Sequence, residues 1–136
     1  MKLYPVPFLT LTTCLLLAGA VAKAEVVESS AASFKVKQVQ TVGVKPEKAW
    51  QSFMTIDGWW SGDHTFSGSA ANLRLEARAG GCFCETVPPG GSVLHMTVVF
   101  VVPNQRLTMT GGLGPLQTSG ATGAMTFQIT PDGEGS

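Results

Sequence analysis

Charge is scarce in this chain, and what there is cancels: nine basic and nine acidic side chains, 13% of the residues, leave a formal net charge of zero. Without a basic stripe, neither nucleic acid nor an anionic membrane surface is an expected partner. Histidine is limited to two residues, His64 and His95, and cysteine to three, so a metal centre would have few ligands to draw on. Long apolar runs are missing as well. The stretch from Phe8 to Ala22 is interrupted by Thr10, Thr12 and Thr13 and falls short of the roughly 20 residues that a membrane span needs. No internal repeat or low-complexity tract is present, which excludes solenoids and biased, unfolded tracts.

That same stretch reads as a signal peptide over residues 1–24. Met1 and Lys2 give a positive start, Phe8 to Ala20 is mostly apolar, and Ala22-Lys23-Ala24 has the small-x-small form of a cleavage site. Cys14 does not end a lipoprotein-type box, so no stable membrane anchor is expected once the signal is removed. The protein is then exported, periplasmic or secreted, with a flexible lead-in at 25–33 and one domain at 34–136. Only Cys82 and Cys84 remain in that oxidising compartment. Two apart on a strand, their Cα atoms would lie roughly 6.6 Å from each other. A disulfide across that distance would be strained, so a pair of shielded thiols, behaving as small apolar groups, is the expected state.

Within the domain, Lys45 to Ser61 is the stretch around which the rest is organised. Ala49, Trp50, Phe53, Ile56 and Trp60 recur at helical steps, Pro46 suits a first helical turn and Glu47 complements the positive helix end, although Lys45 is a poor cap. Asp57-Gly58 breaks the helix before Trp59 and Trp60, which cannot both face the same way. Most other segments read as strand. Phe34 to Val44 is the first; Gln38 and Gln40 share its apolar parity, so either they enter the cavity, or an irregularity near Gln38 and Val39 or an open sheet end leaves them in solvent. Leu73 to Arg78 alternates apolar and charged residues, and turns at Ala79-Gly80-Gly81 and Pro88-Pro89-Gly90-Gly91 bracket Cys82 to Val87. If Val87 pairs with Ser92, Phe83 falls opposite Met96 and Cys84 opposite His95. One hairpin face then carries Phe83, Glu85, Leu94, Met96, Val98 and Phe100, and is assigned to the interior for its larger side chains. Leu107 and Met109, then Met125 and Phe127, continue inward, and the Pro131 to Gly135 segment has hairpin-turn chemistry. The expected class is α+β, a curved antiparallel sheet around an N-terminal helix.

The order of strand, helix, short helix and consecutive antiparallel strands, with W-x8-WWSGDHTFSG from Trp50 and GGCFCE at Gly80 to Glu85, resembles the SRPBCC superfamily, the helix-grip domains of START, polyketide-cyclase and pollen-allergen type. The likeness runs from about Phe34 to the end and is most specific in those two segments. It implies a small hydrophobic ligand held between helix and sheet. It also implies a last strand and a carboxy-terminal helix, which have no counterpart here, so the copy looks incomplete. An uncovered sheet would expose Met96, Phe100, Met109 and Phe127 to a protein partner.

The expected cavity residues are Trp50, Trp60, Phe83, Glu85, Met96, Phe100, Met109 and Phe127. Glu85 has two placements compatible with the pattern. Beside Phe83 and Met96 it is a desolvated carboxylate suited to proton transfer or to a polar ligand group; at the sheet end it is hydrated or paired with Arg74 or Arg78. Cys82, Cys84, His95 and His64 have the residue types of a zinc site, but C-x-C on a strand aims both sulfurs one way at roughly 7 Å, and no metal or cofactor is expected. The expected function is binding of a small apolar molecule, with no catalytic residue assigned. The alternatives are a cyclase- or hydrolase-type enzyme using Glu85 or His95, and a protein-interaction module resembling chaperone-ATPase activators.

Overall fold

The computed structural model describes residues 23–133, which form two compact units that divide between Gln40 and Thr41. Almost all of the expected signal segment, and the end of the Pro131–Gly135 turn, lie outside the described residues.

The first unit is an antiparallel hairpin of β1 (Lys23–Ser29) and β2 (Phe34–Val39). Residues 25–33, expected as a lead-in, comprise most of β1 and the turn to β2. Opposite charges meet across the ladder, Glu25 with Lys37 and Glu28 with Lys35, and Val26 faces Val36. Ser30 closes the turn: its backbone N–H donates to the Ser33 carbonyl at 2.8 Å and its hydroxyl oxygen accepts from the Ser33 N–H at 3.0 Å. The irregularity expected near Gln38 sits instead on the partner strand, between Val26 and Glu28. Phe34 and Val36 are exposed, because β2 belongs to this two-stranded sheet and not to the larger one.

The second unit sets one helix and several 3-10 turns against a five-stranded antiparallel sheet, so the chain is mixed α+β. Helix α1 runs over Pro46–Met54. Pro46 opens it where a missing N–H costs nothing, Glu47 lies in the first turn, and Lys45 makes no side-chain cap. At the far end both the N–H and the hydroxyl of Thr55 donate to the Gln51 carbonyl. The apolar face of α1 places Trp50, Phe53 and Met54 against the core. Phe53 meets Phe127 at a ring separation of 3.9 Å. After the turn at Ile56–Gly58 the two tryptophans touch at 5.5 Å but take different partners: Trp59 is half-exposed and stacks on Phe53, while Trp60 turns inward and meets the Phe83 ring edge-on at 5.3 Å.

The strands β3 (Leu73–Leu75), β4 (Cys82–Val87), β5 (Gly91–Val102), β6 (Arg106–Gly111) and β7 (Gly123–Gln128) are neighbours in chain order. Their inward side chains make the core: Leu73, Phe83, Met96, Val98, Leu107 and Met109, joined by Ile56. Each full burial of this kind contributes about 1.5–3 kcal/mol. The alternation read across Leu73 to Arg78 ends at Leu75, and Gly81 folds back over Glu76 so closely that a Cβ on it would collide with the Glu76 carbonyl oxygen.

Two irregularities in β5 alter which of its residues face in. The loop before it is one residue tighter than expected, pairing Val87 with Gly91, Glu85 with Val93 and Cys84 with Leu94. One extra residue, His95, is then taken up before Phe83 pairs with Met96. Consequently Leu94, expected inside, is exposed, and His95, expected outside, is buried beside Met96. The second irregularity falls between Val98 and Phe100 and reverses the parity again. Phe100, expected in the cavity, therefore faces outward beneath the Arg106 guanidinium, 5.1 Å from its ring centre.

Cys82 and Cys84 are bonded to each other, contrary to the expected free thiols. Their Cα atoms are 5.4 Å apart, closer than in a regular strand and within bridging range, at the point where the β4–β5 register shifts. Arg74 lies against Cys82, its guanidinium 3.8 Å from the sulfur.

Candidate functional site

Glu85 and His95 are the buried polar residues of the second unit's interior, 1% and 4% exposed. Glu85 reaches the interior by the alternation of β4, and His95 by the extra residue in β5. The irregularity has a matching feature on the next strand. Gly111 ends β6 with φ of 148°, and a Cβ there would lie 2.9 Å from the His95 carbonyl oxygen, so only glycine lets the backbone approach this closely.

The two side chains meet directly, His95 Nε2 standing 3.0 Å from Glu85 Oε2. The same carboxylate accepts the backbone N–H groups of Phe66, on Oε2 at 3.1 Å, and of Ser67, on Oε1. Burial by itself favours the neutral acid, but the hydrogen bonds from Ser67, Phe66 and His95 outweigh it and hold Glu85 below the ordinary carboxylate range. An ionised carboxylate only accepts, so Nε2 of His95 carries a hydrogen and donates it. The other ring nitrogen, Nδ1, is buried and has no hydrogen-bond partner among the described residues. The imidazole has two phenyl neighbours, Phe66 stacked at 6.0 Å and Phe83 tilted at 5.0 Å.

The ring that carries this unpartnered nitrogen lines a pocket of about 360 Å³. Two segments form its walls. The first runs from Trp60 to Phe66 and is tied down by the Trp60 indole N–H donating to the His64 carbonyl, by the Thr65 hydroxyl donating to the Gly62 carbonyl, and by the Glu85 contacts just described. The second runs from Leu113 to Pro115 and leads into the 3-10 turn Gly114–Ser119, from which the Gln117 amide donates to the Leu94 carbonyl at 2.6 Å. Trp60, Phe66, Leu113 and Pro115 make most of the lining apolar, and Asp63 and His64 add polar groups. A second cleft, of about 430 Å³, lies where the start of α1 meets the β5–β6 turn and the end of β7; its lining includes Glu47, Asn104 and Gln128.

The eight residues expected to line one cavity are divided. Trp60 lines the pocket, and Glu85 stands behind His95 without being part of the lining. Phe83, Met96 and Met109 are buried in the core, against which Trp50 and Phe127 pack, and Phe100 is on the outer side. The space between α1 and the sheet is thus filled by side chains, and the pocket opens beside it. The zinc-type set is divided too, with Cys82 and Cys84 joined to each other and His95 engaged by Glu85. Arg74 and Arg78, considered as partners of Glu85, pair with Glu76 instead.

His95, Phe66, Leu113 and Pro115 were not among the expected cavity residues. The placement of His95 depends on one residue of register, for which the pattern of side chains in β5 carries no signal; GGLGP, at Gly111 to Pro115, reads only as a flexible loop. Comparison with protein-family models, with curated proteins and with solved structures finds no match to this chain.

Proposed function

We propose that this chain is an exported binding module of helix-grip type that holds a small, mostly apolar molecule in the pocket between Trp60–Phe66 and Leu113–Pro115. The observation that carries the reading is the coincidence of that pocket with a buried imidazole whose second nitrogen has no partner. Ligand sites are characteristically apolar concavities with a few placed polar groups, and the volume here is in their usual range. Support for the helix-grip likeness comes from the meeting of its two most specific segments: backbone donors of WWSGDHTFSG, at Phe66 and Ser67, are received by the last residue of GGCFCE, Glu85.

A nitronaphthalene titration followed by tryptophan fluorescence tests this, because Trp60 is in the wall and nitroaromatics quench indole emission. The expected result is saturable quenching with one site. Pro115→Trp, a substitution at an exposed wall residue, should fill the pocket and weaken binding at least tenfold, about 1.4 kcal/mol. Equal affinity in that variant, or no saturable quenching, would contradict the reading.

A further inference from the structure

A pocket for apolar molecules does not require a histidine held by a buried carboxylate. A neutral side chain of similar shape would fill the space without the cost of burying an ionised group, which runs to several kcal/mol before its partners compensate. The chain meets that cost with three donors on one carboxylate. Their combined effect on His95 is specific. With Nε2–H donated to Glu85, the lone pair of the neutral ring is confined to Nδ1, the one ring atom left to accept a proton.

We propose that His95 and Glu85 form a proton-accepting dyad, and that the pocket takes an aromatic or enolic hydroxyl compound whose O–H is directed at Nδ1 of His95. The inference rests on the pocket being a binding site. In the step itself the ligand O–H bond breaks, its electron pair stays on oxygen, and the proton forms a new N–H bond at Nδ1. The imidazolium keeps its Nε2–H on Glu85, which remains ionised and so acts as a positioning residue. No other reactant is consumed. Phe66 stacks against the imidazole and is itself more than half exposed, so its side chain can move to let the ligand O–H reach the buried Nδ1 while its backbone N–H goes on holding Glu85. The other titratable groups of the pocket are His64 and Asp63, both exposed; a protonated His64 would favour the hydroxylate product and Asp63 would oppose it.

The test uses the whole chain and a matched pair of probes, a nitronaphthol and the nitronaphthalene that lacks its hydroxyl, because the naphtholate ion absorbs at longer wavelength than the naphthol. The expected result is that bound nitronaphthol ionises about tenfold more readily than free nitronaphthol, one unit on the pH axis. His95→Gln should abolish that change. Saturable binding of nitronaphthol with its ionisation unchanged would overturn the dyad and leave the binding site standing. Failure of both probes to bind would overturn both. An ionisation change that persists in His95→Gln would show that another group accepts the proton. If His95→Gln does not fold, the wild-type spectrum alone still decides between the first two outcomes.

Discussion

Glu85 is the residue on which the interior depends most. It receives the Phe66 and Ser67 N–H groups and the His95 ring, so removing its charge leaves donors facing an amide that cannot serve them all. Glu85→Gln should destabilise the chain by about 3 kcal/mol, read as a lower urea midpoint at unchanged m. The pH dependence follows from the direction of its shift. The folded chain holds Glu85 below its ordinary value of 4.5, so over the interval between the two values the unfolded chain binds the additional proton. Stability from this group is complete above that ordinary value and is lost as pH falls through the lower folded one. A wild type whose denaturation midpoint does not fall more steeply with acid than that of Glu85→Gln would contradict this. Alternation with Phe83 gave the inward placement of Glu85 as one of two, the other being a hydrated or arginine-paired position at the sheet end. Its partner was not legible, since Arg74 and Arg78 are the cations of the preceding segment and only the register of β5 brings in His95.

At the scale of elements, the sequence reading succeeded where periodicity is local and lapsed where a strand contains an extra residue. Helix α1 began at Pro46 and gave way before Asp57-Gly58 as its pattern indicated, and β6 and β7 turned Leu107, Met109, Met125 and Phe127 to the core side. In β5 the apolar residues Val98, Val99, Phe100, Val101 and Val102 are continuous, so no polar residue marks the place where the face changes. The expected side of Phe100 is consequently wrong, and those of Leu94 and His95 are reversed by the earlier shift at His95. The β5 irregularity at His95 is held from the adjoining strand by Gly111. Gly111→Ala should cost about 2 kcal/mol, from its positive φ and from contact with the His95 carbonyl, and should weaken nitronaphthalene binding as His95 shifts. Unchanged stability and affinity would show that the backbones separate there without consequence.

For the whole molecule, the described residues comprise a small exposed hairpin and a larger unit with one hydrophobic core. Composition and alternation were enough to anticipate an α+β chain with an antiparallel sheet. The pocket was expected beneath the helix, where large aromatic residues were to line a void. Trp60 packs against Phe83 there, and Phe127 against Phe53 of the helix, while the pocket at His95 is bounded by two converging loops. Loop convergence depends on contacts between segments far apart in sequence, such as Gln117 with Leu94, and no local pattern reports it. The most direct test of this account is a proton–nitrogen correlation spectrum of the histidine rings in the intact chain, recorded with and without nitronaphthalene. The account predicts that His95 is the tautomer bearing hydrogen on Nε2, with a bare Nδ1, and that the probe moves its resonances. A hydrogen on Nδ1 alone, or His95 signals indifferent to a probe that binds, would contradict it.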